Sequence, residues 1–126
     1  MTKPGVYFIV DFAIAAGKID EFQAIADEMV TGTRNEPGAL AYEFYVDASR
    51  SQSRLIEVYA DSSAALAHCQ GSVVQQLVPR LLSVSTLADF RVYGDLSPET
   101  ADTLKQGGAE LYQTWRGFNR FQNSAA

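Results

Sequence analysis

Four stretches of the chain alternate apolar and polar residues with the two-residue period of a half-buried strand, and their order around two helical stretches leaves few folds open. Val6–Ile14 sets Val6, Phe8, Val10, Phe12 and Ile14 against Tyr7, Ile9, Asp11 and Ala13. Leu40–Asp47 sets Leu40, Tyr42, Phe44 and Val46 against Ala41, Glu43, Tyr45 and Asp47. In Arg54–Ala60, Ile56 and Val58 lie on one side and Leu55, Glu57 and Tyr59 on the other. The fourth stretch, Thr86–Tyr93, sets Ala88, Phe90 and Val92 against Leu87, Asp89, Arg91 and Tyr93. Between the first two, Lys18–Asn35 carries Phe22, Ile25, Ala26, Met29, Val30 and Thr33 on one helical face, with Asp20 and Glu21 in the first turn, where the helix dipole favours acids. Glu36-Pro37-Gly38 ends that helix. After the third strand, Asp61 or Ser62 caps a helix carrying Ala64, Ala65, Leu66 and His68. A further helical piece, Val73–Val84, is expected to be interrupted or bent at Pro79. The order β-α-β-β-α-β predicts an α+β, ferredoxin-like protomer with an antiparallel four-stranded sheet and helices on one face.

That plan accounts for residues 1–95. The remainder, 96–126, reads as an extension packing on the domain or on a partner. Ser97-Pro98-Glu99 is a helix start that runs to Gln106 and stops at Gly107-Gly108. A Trp-Arg-Gly-Phe-Asn-Arg-Phe stretch follows at 115–121, and Asn123–Ala126 reads as disordered. The aromatic-basic stretch is read as an anchor on the domain or partner rather than as a base-stacking surface.

Charge and cysteine usage narrow the function classes. A net charge of −5 across 126 residues argues against nucleic acid or an anionic membrane as partner. No apolar run approaches the length of a transmembrane helix, and Met1–Gly5 lacks the long apolar stretch expected of a signal peptide. One cysteine, Cys69, allows no internal disulfide, which points to the cytoplasm. Cys69 adjoins the single histidine, His68, so one chain cannot assemble a Cys/His zinc site, and no metal is expected.

With helices on one face, the opposite face is expected to carry Tyr7, Asp11, Glu43, Tyr45, Glu57, Tyr59, Asp89, Arg91 and Tyr93. That set is too aromatic to be left in water and too charged for an ordinary core. A second copy of the sheet facing it would enclose a polar-aromatic chamber, so a two-fold homodimer is expected.

The residues 33–44 (TRNEPGALAYEF), 57–61 (EVYAD) and 64–68 (AALAH), with Gly17-Lys18 and Phe22, resemble the antibiotic biosynthesis monooxygenase family over roughly residues 5–94. The resemblance implies a dimeric α+β barrel. It also implies a monooxygenase that oxidises a small phenolic or quinol-type aromatic with dioxygen and no cofactor. The haem-degrading branch of that fold uses an Asn on the first strand and a Trp shortly before the helix histidine. Here the first strand has no Asn and residues 61–67 no Trp, which disfavours that activity.

Within this resemblance His68 matches the recurring histidine and is the candidate catalytic base, since imidazole titrates near neutral pH. Tyr7, Tyr45, Tyr59 and Tyr93 are expected to line an aromatic pocket. Glu57 and Arg91 are expected beside them, as an ion pair shaping the chamber or as substrate-binding groups. Glu36 is read as fixing the Pro-Gly turn, Tyr42 as core, and Cys69 as a small helix residue rather than a nucleophile. The alternatives to an oxygenase are a non-catalytic dimeric small-molecule binder or stress-associated protein, and a cofactor-free isomerase or cyclase.

Overall fold

The computed structural model describes residues 5–121. The expectation of disorder at Asn123–Ala126 lies outside them. β1 (Val6–Ile14) leads into α1 (Ile19–Arg34), β2 (Ala39–Val46) and β3 (Gln52–Tyr59). α2 (Ser62–Gln70) passes through a π-helical turn (Val73–Leu77) into α3 (Val78–Leu82), then β4 (Ser85–Tyr93), α4 (Pro98–Gln106) and β5 (Glu110–Tyr112). The strand order is β2-β3-β1-β4-β5. The βαββαβ protomer is therefore present as expected, with antiparallel pairs throughout its four strands. The extension adds a fifth, short edge strand, parallel to β4, that the sequence did not announce.

Helix ends follow the capping residues. The Asp61 carboxylate accepts from the Ala64 N–H at 2.9 Å, and the Ser97 hydroxyl accepts from the Thr100 N–H at 3.3 Å. Pro79 does not break a long helix midway. It occupies the first turn of α3, where its missing N–H costs nothing, and the interruption is the π-helical turn before it.

The core lies between the sheet and the helices, built on Val6, Phe8, Val10 and Phe12 of β1 with Phe22, Ile25 and Met29 of α1. Residues opposite each other in an antiparallel pair share a face, so the register fixes which side each strand residue takes. Phe8 stands opposite Glu57, Val10 opposite Leu55 and Val6 opposite Tyr59. Leu55, Glu57 and Tyr59 thus point toward the helices, whereas Ile56 stands opposite Ile9 and Val58 opposite Tyr7 on the open face. This reverses the expected phase of β3. A bulge in β4 also departs from simple alternation. Asp11 pairs with Asp89 but Phe12 with Leu87, so Ala88 is the extra residue and Leu87 turns to the helix side.

α4 lies on the helix side of the sheet, docked on α2 at its N-terminal end. The Ser62 hydroxyl accepts from the Ser97 N–H at 2.9 Å, and the Thr100 hydroxyl donates to the Ser62 carbonyl at 3.3 Å. No helix among the described residues is long and apolar enough to cross a membrane.

Candidate active site

Between the helix-facing side of the sheet and the helices lies a cavity of about 310 Å³. That is the lower end of the range for small-molecule sites. Its floor is mostly apolar, with Phe8, Val10 and Phe12 of β1, Leu55 of β3, and Leu87 and Phe90 of β4. Its roof comes from α2, the π-helical turn, α3 and the C-terminal half of α4. The polar groups gather at one end, where Tyr42, Glu57 and His68 meet. His68 is 2% and Glu57 4% exposed, so this is the closed end. Gln75, Leu82, Leu87 and Gly107 line the cavity and are solvent-exposed, so they form its mouth.

His68 is held from both sides. Its Nδ1 lies 2.8 Å from Glu36 Oε1 and its Nε2 3.5 Å from Glu57 Oε1. Glu36 sits on the turn that follows α1, which is closed by its N–H to the Thr33 carbonyl at 2.9 Å and by the Ala39 N–H to its own carbonyl at 3.1 Å. α2 can approach this turn because Gly38 has no side chain: a Cβ there would fall 2.4 Å from the Cβ of Ala64. Glu36 therefore fixes the turn, as read from the sequence, and also orients the imidazole. The Tyr59 hydroxyl donates to Glu57 Oε1 at 2.5 Å, and the rings of Tyr42 and Tyr59 flank His68 at 5.6 and 5.0 Å between centroids.

Burial governs the electrostatics. Desolvation pushes the Glu57 carboxyl up to about 8, helped by the charge of Glu36 and opposed by the Tyr59 hydrogen bond. Desolvation holds His68 below the ordinary imidazole value, against the pull of Glu36. The Tyr42 and Tyr59 phenols are pushed up by burial and by Glu57, and burial pushes the Cys69 thiol up to about 12. Near neutral pH the site thus holds a neutral imidazole, a protonated Glu57 and two intact phenols. With the Glu36 carboxylate accepting from Nδ1–H, the lone pair sits on Nε2. The arrangement supplies one carboxylate-backed base and one buried acid at the end of an apolar cavity. Among the described residues no group of three or more His, Cys, Asp or Glu could hold a metal ion.

Three of the candidate residues come together here. His68 and Glu57 line the cavity, and Tyr59 stands fully buried behind Glu57. The other four lie on the opposite face. The Tyr7 hydroxyl accepts from Asn119 Nδ2 at 2.9 Å, and the Tyr45 hydroxyl donates to Glu43 at 3.1 Å. Tyr93 stacks on Tyr112 of β5 with centroids 5.0 Å apart. Arg91 does not reach Glu57. It pairs with Asp89 at 3.0 Å and Asp11 at 3.8 Å, on the other side of the sheet. Sequence reasoning missed Glu36 as the partner of His68, Tyr42 as a cavity residue, and α4 as part of the roof. The Glu36–His68 contact spans 32 positions, with no local pattern to betray it.

The fold recurs in solved structures. MupZ from Pseudomonas fluorescens superposes with a TM-score of 0.76 at 22% identity, covering 92% of this chain and 94% of its own. That coverage runs past β4 into the extension. Rv0793 from Mycobacterium tuberculosis gives 0.65 at 24% identity, covering 74% of this chain and 96% of its own. A structure described as an antibiotic biosynthesis monooxygenase gives 0.63 at 29% identity, covering 74% and 99%. No curated protein sequence matches the chain. The antibiotic biosynthesis monooxygenase family matches residues 5–80, which include Glu36, Tyr42, Glu57, Tyr59 and His68. The chain belongs to the antibiotic biosynthesis monooxygenase family.

Proposed function

We propose that the protein is a cofactor-independent monooxygenase that oxidises a small phenolic or quinol-type aromatic with dioxygen inside this cavity. The observation that carries the reading is a lone base, backed by a carboxylate, at the closed end of an apolar cavity. A phenol entering hydroxyl-first, with its ring along the apolar floor, would bring that hydroxyl to His68 Nε2. Proton transfer to Nε2 would leave an electron-rich phenolate, and Glu36 would stabilise the imidazolium formed. The phenolate passes one electron to dioxygen, and the radical pair recombines as a carbon-bound peroxide. Loss of water from the peroxide completes the balance: a ring position carrying two hydrogens in its keto form becomes a carbonyl, and dioxygen ends as that carbonyl oxygen and one water. Glu57, protonated and 3.5 Å from Nε2, is placed to return a proton to the departing oxygen. His68, Glu57 and Tyr59 carry the site in this reading. Tyr7, Tyr45, Arg91 and Tyr93 belong to the face we assign to a second copy of the chain.

The test is oxygen uptake and product mass with reduced menadione or a similar hydroquinone. The native protein is expected to consume oxygen and add one oxygen atom to product. His68→Ala should lower the rate by about 10²- to 10⁴-fold, the range of general base catalysis. Equal rates for native protein, variant and buffer would remove the enzymatic reading and leave a binding protein. A product of unchanged mass would instead indicate isomerisation.

A further inference from the structure

We infer that α4 makes one side of the cavity mouth and that the missing side chain at Gly107 sets the cross-section of the ligand admitted. The inference rests on the cavity being the ligand site, as proposed above. The family match ends at residue 80, and solved relatives covering 74% of the chain account for little more than β1 to β4 in length. α4 lies beyond that shared part, yet Thr103, Leu104 and Gly107 line the cavity.

Two adjacent glycines end α4, and they differ in what they require. Gly108 has φ +89°, a conformation that favours glycine on backbone grounds alone. Gly107 has φ −80° and ψ 2°, which any residue adopts. A Cβ at Gly107 would lie 3.8 Å from the Phe90 ring and 3.4 Å from the Leu104 carbonyl, ordinary contact distances. Neither the backbone nor close packing therefore demands glycine at 107. Any larger side chain there would stand at the mouth, over Phe90.

The distance from mouth to base suits a fused ring better than a single one. Glu57 is on β3 and Phe90 on β4, with β1 between them. Glu57 stands opposite Phe8 and Phe90 opposite Val10, so two strand spacings across and two residues along the strand put them about 12 Å apart. A ligand with its hydroxyl at His68 and a second ring toward Phe90 would run beneath Gly107. No Lys or Arg among the described residues lines the cavity, so nothing there would pair with an anionic far end of the ligand.

The test compares anaerobic binding of phenol and 1-naphthol by calorimetry in native protein, Gly107→Ala and Gly107→Leu. The ratio of 1-naphthol to phenol affinity is expected to fall at least tenfold in Gly107→Leu and by a smaller factor in Gly107→Ala. The alanine variant keeps the test alive if the leucine variant does not fold. An unchanged ratio, or native protein that binds neither probe, overturns the inference. Because no turnover is involved, a shifted ratio without oxygen uptake would uphold the mouth and remove the monooxygenase reading, and an unchanged ratio with turnover intact would do the reverse.

Discussion

His68 and Glu57 are both buried at the closed end of one cavity, and burial moves their proton affinities in opposite directions. Each stays neutral where an exposed copy would be ionised, and each leaves a signature in stability against pH. Glu57 has a folded value raised from 4.5 to about 8, so its contribution is complete below pH 4.5 and is lost as pH rises toward 8. His68 is depressed below 6.5, so its contribution is present above that value and is lost as pH falls through the folded value. Glu57→Gln removes the first slope. The melting temperature of the variant relative to native protein should rise steadily between pH 4.5 and 8, and a flat difference would contradict a protonated Glu57. Glu36→Gln keeps a hydrogen-bond acceptor at His68 Nδ1 but removes the charge that supports the imidazolium. Losing the charged part of such a bond costs about 1–2 kcal/mol, so the oxidation rate should drop about 5- to 30-fold, with the rate against pH reporting a lower imidazole value. At this scale His68 was legible as the single imidazole after a capped helix start. Glu36 was legible only as a turn former, because its second role depends on where α2 comes to rest.

Elements that alternate cleanly were legible from the period alone: β1, α1 and β2 from Ala41 onward have the faces the sequence assigns, whereas a bulge at Leu40 takes that residue out of the alternation. β3 defeated the rule because both its sides look apolar. Ile56 and Val58 compete with Leu55 and Tyr59, and the presence of Glu57 argues for the wet side. The register decides otherwise, and Glu57 is accepted inside because it keeps its proton and takes the Tyr59 hydroxyl. The β4 bulge at Ala88 was equally silent, since an extra residue in a strand has no composition of its own. The seating of α2 on the turn before β2 makes a prediction at the same scale. A methyl group at residue 38 would meet Ala64 well inside contact distance, so Gly38→Ala must push α2 away from Glu36. Such overpacking costs about 1–3 kcal/mol. Denaturant titration should show that loss, and nitrogen NMR of His68 should show a weakened hydrogen bond at Nδ1. Full stability with an unchanged His68 signal would mean that the turn and α2 are not in register as described.

For the whole molecule, the cavity and the open face of the sheet divide the work that the sequence reading gave to one chamber. The open face keeps the residues that suit a symmetric partner. Ile9 and Ile56 sit at its centre, with the Asp11–Arg54 and Arg91–Asp89 pairs and the Tyr93–Tyr112 stack around them. The aromatic tail ends beside it, with the Phe121 ring 6.0 Å from that of Tyr7, while Trp115 and Phe118 remain 79% and 72% exposed. So much aromatic surface in an acidic chain is poorly suited to water but well suited to an interface centre. A two-fold copy would set each Ile9–Ile56 pair near its own mate. Sedimentation at micromolar concentration should therefore give twice the chain mass of 13.8 kDa. Ile56→Arg would place a charge near its symmetry mate at the centre of that face and should give the single-chain mass. Because Ile56 points away from the helices, the variant should still bind 1-naphthol as native protein does. Native protein sedimenting at 13.8 kDa would leave the open face and its tyrosines without an occupant, and a variant that lost the ligand along with the partner would show that the two faces of the sheet are not independent.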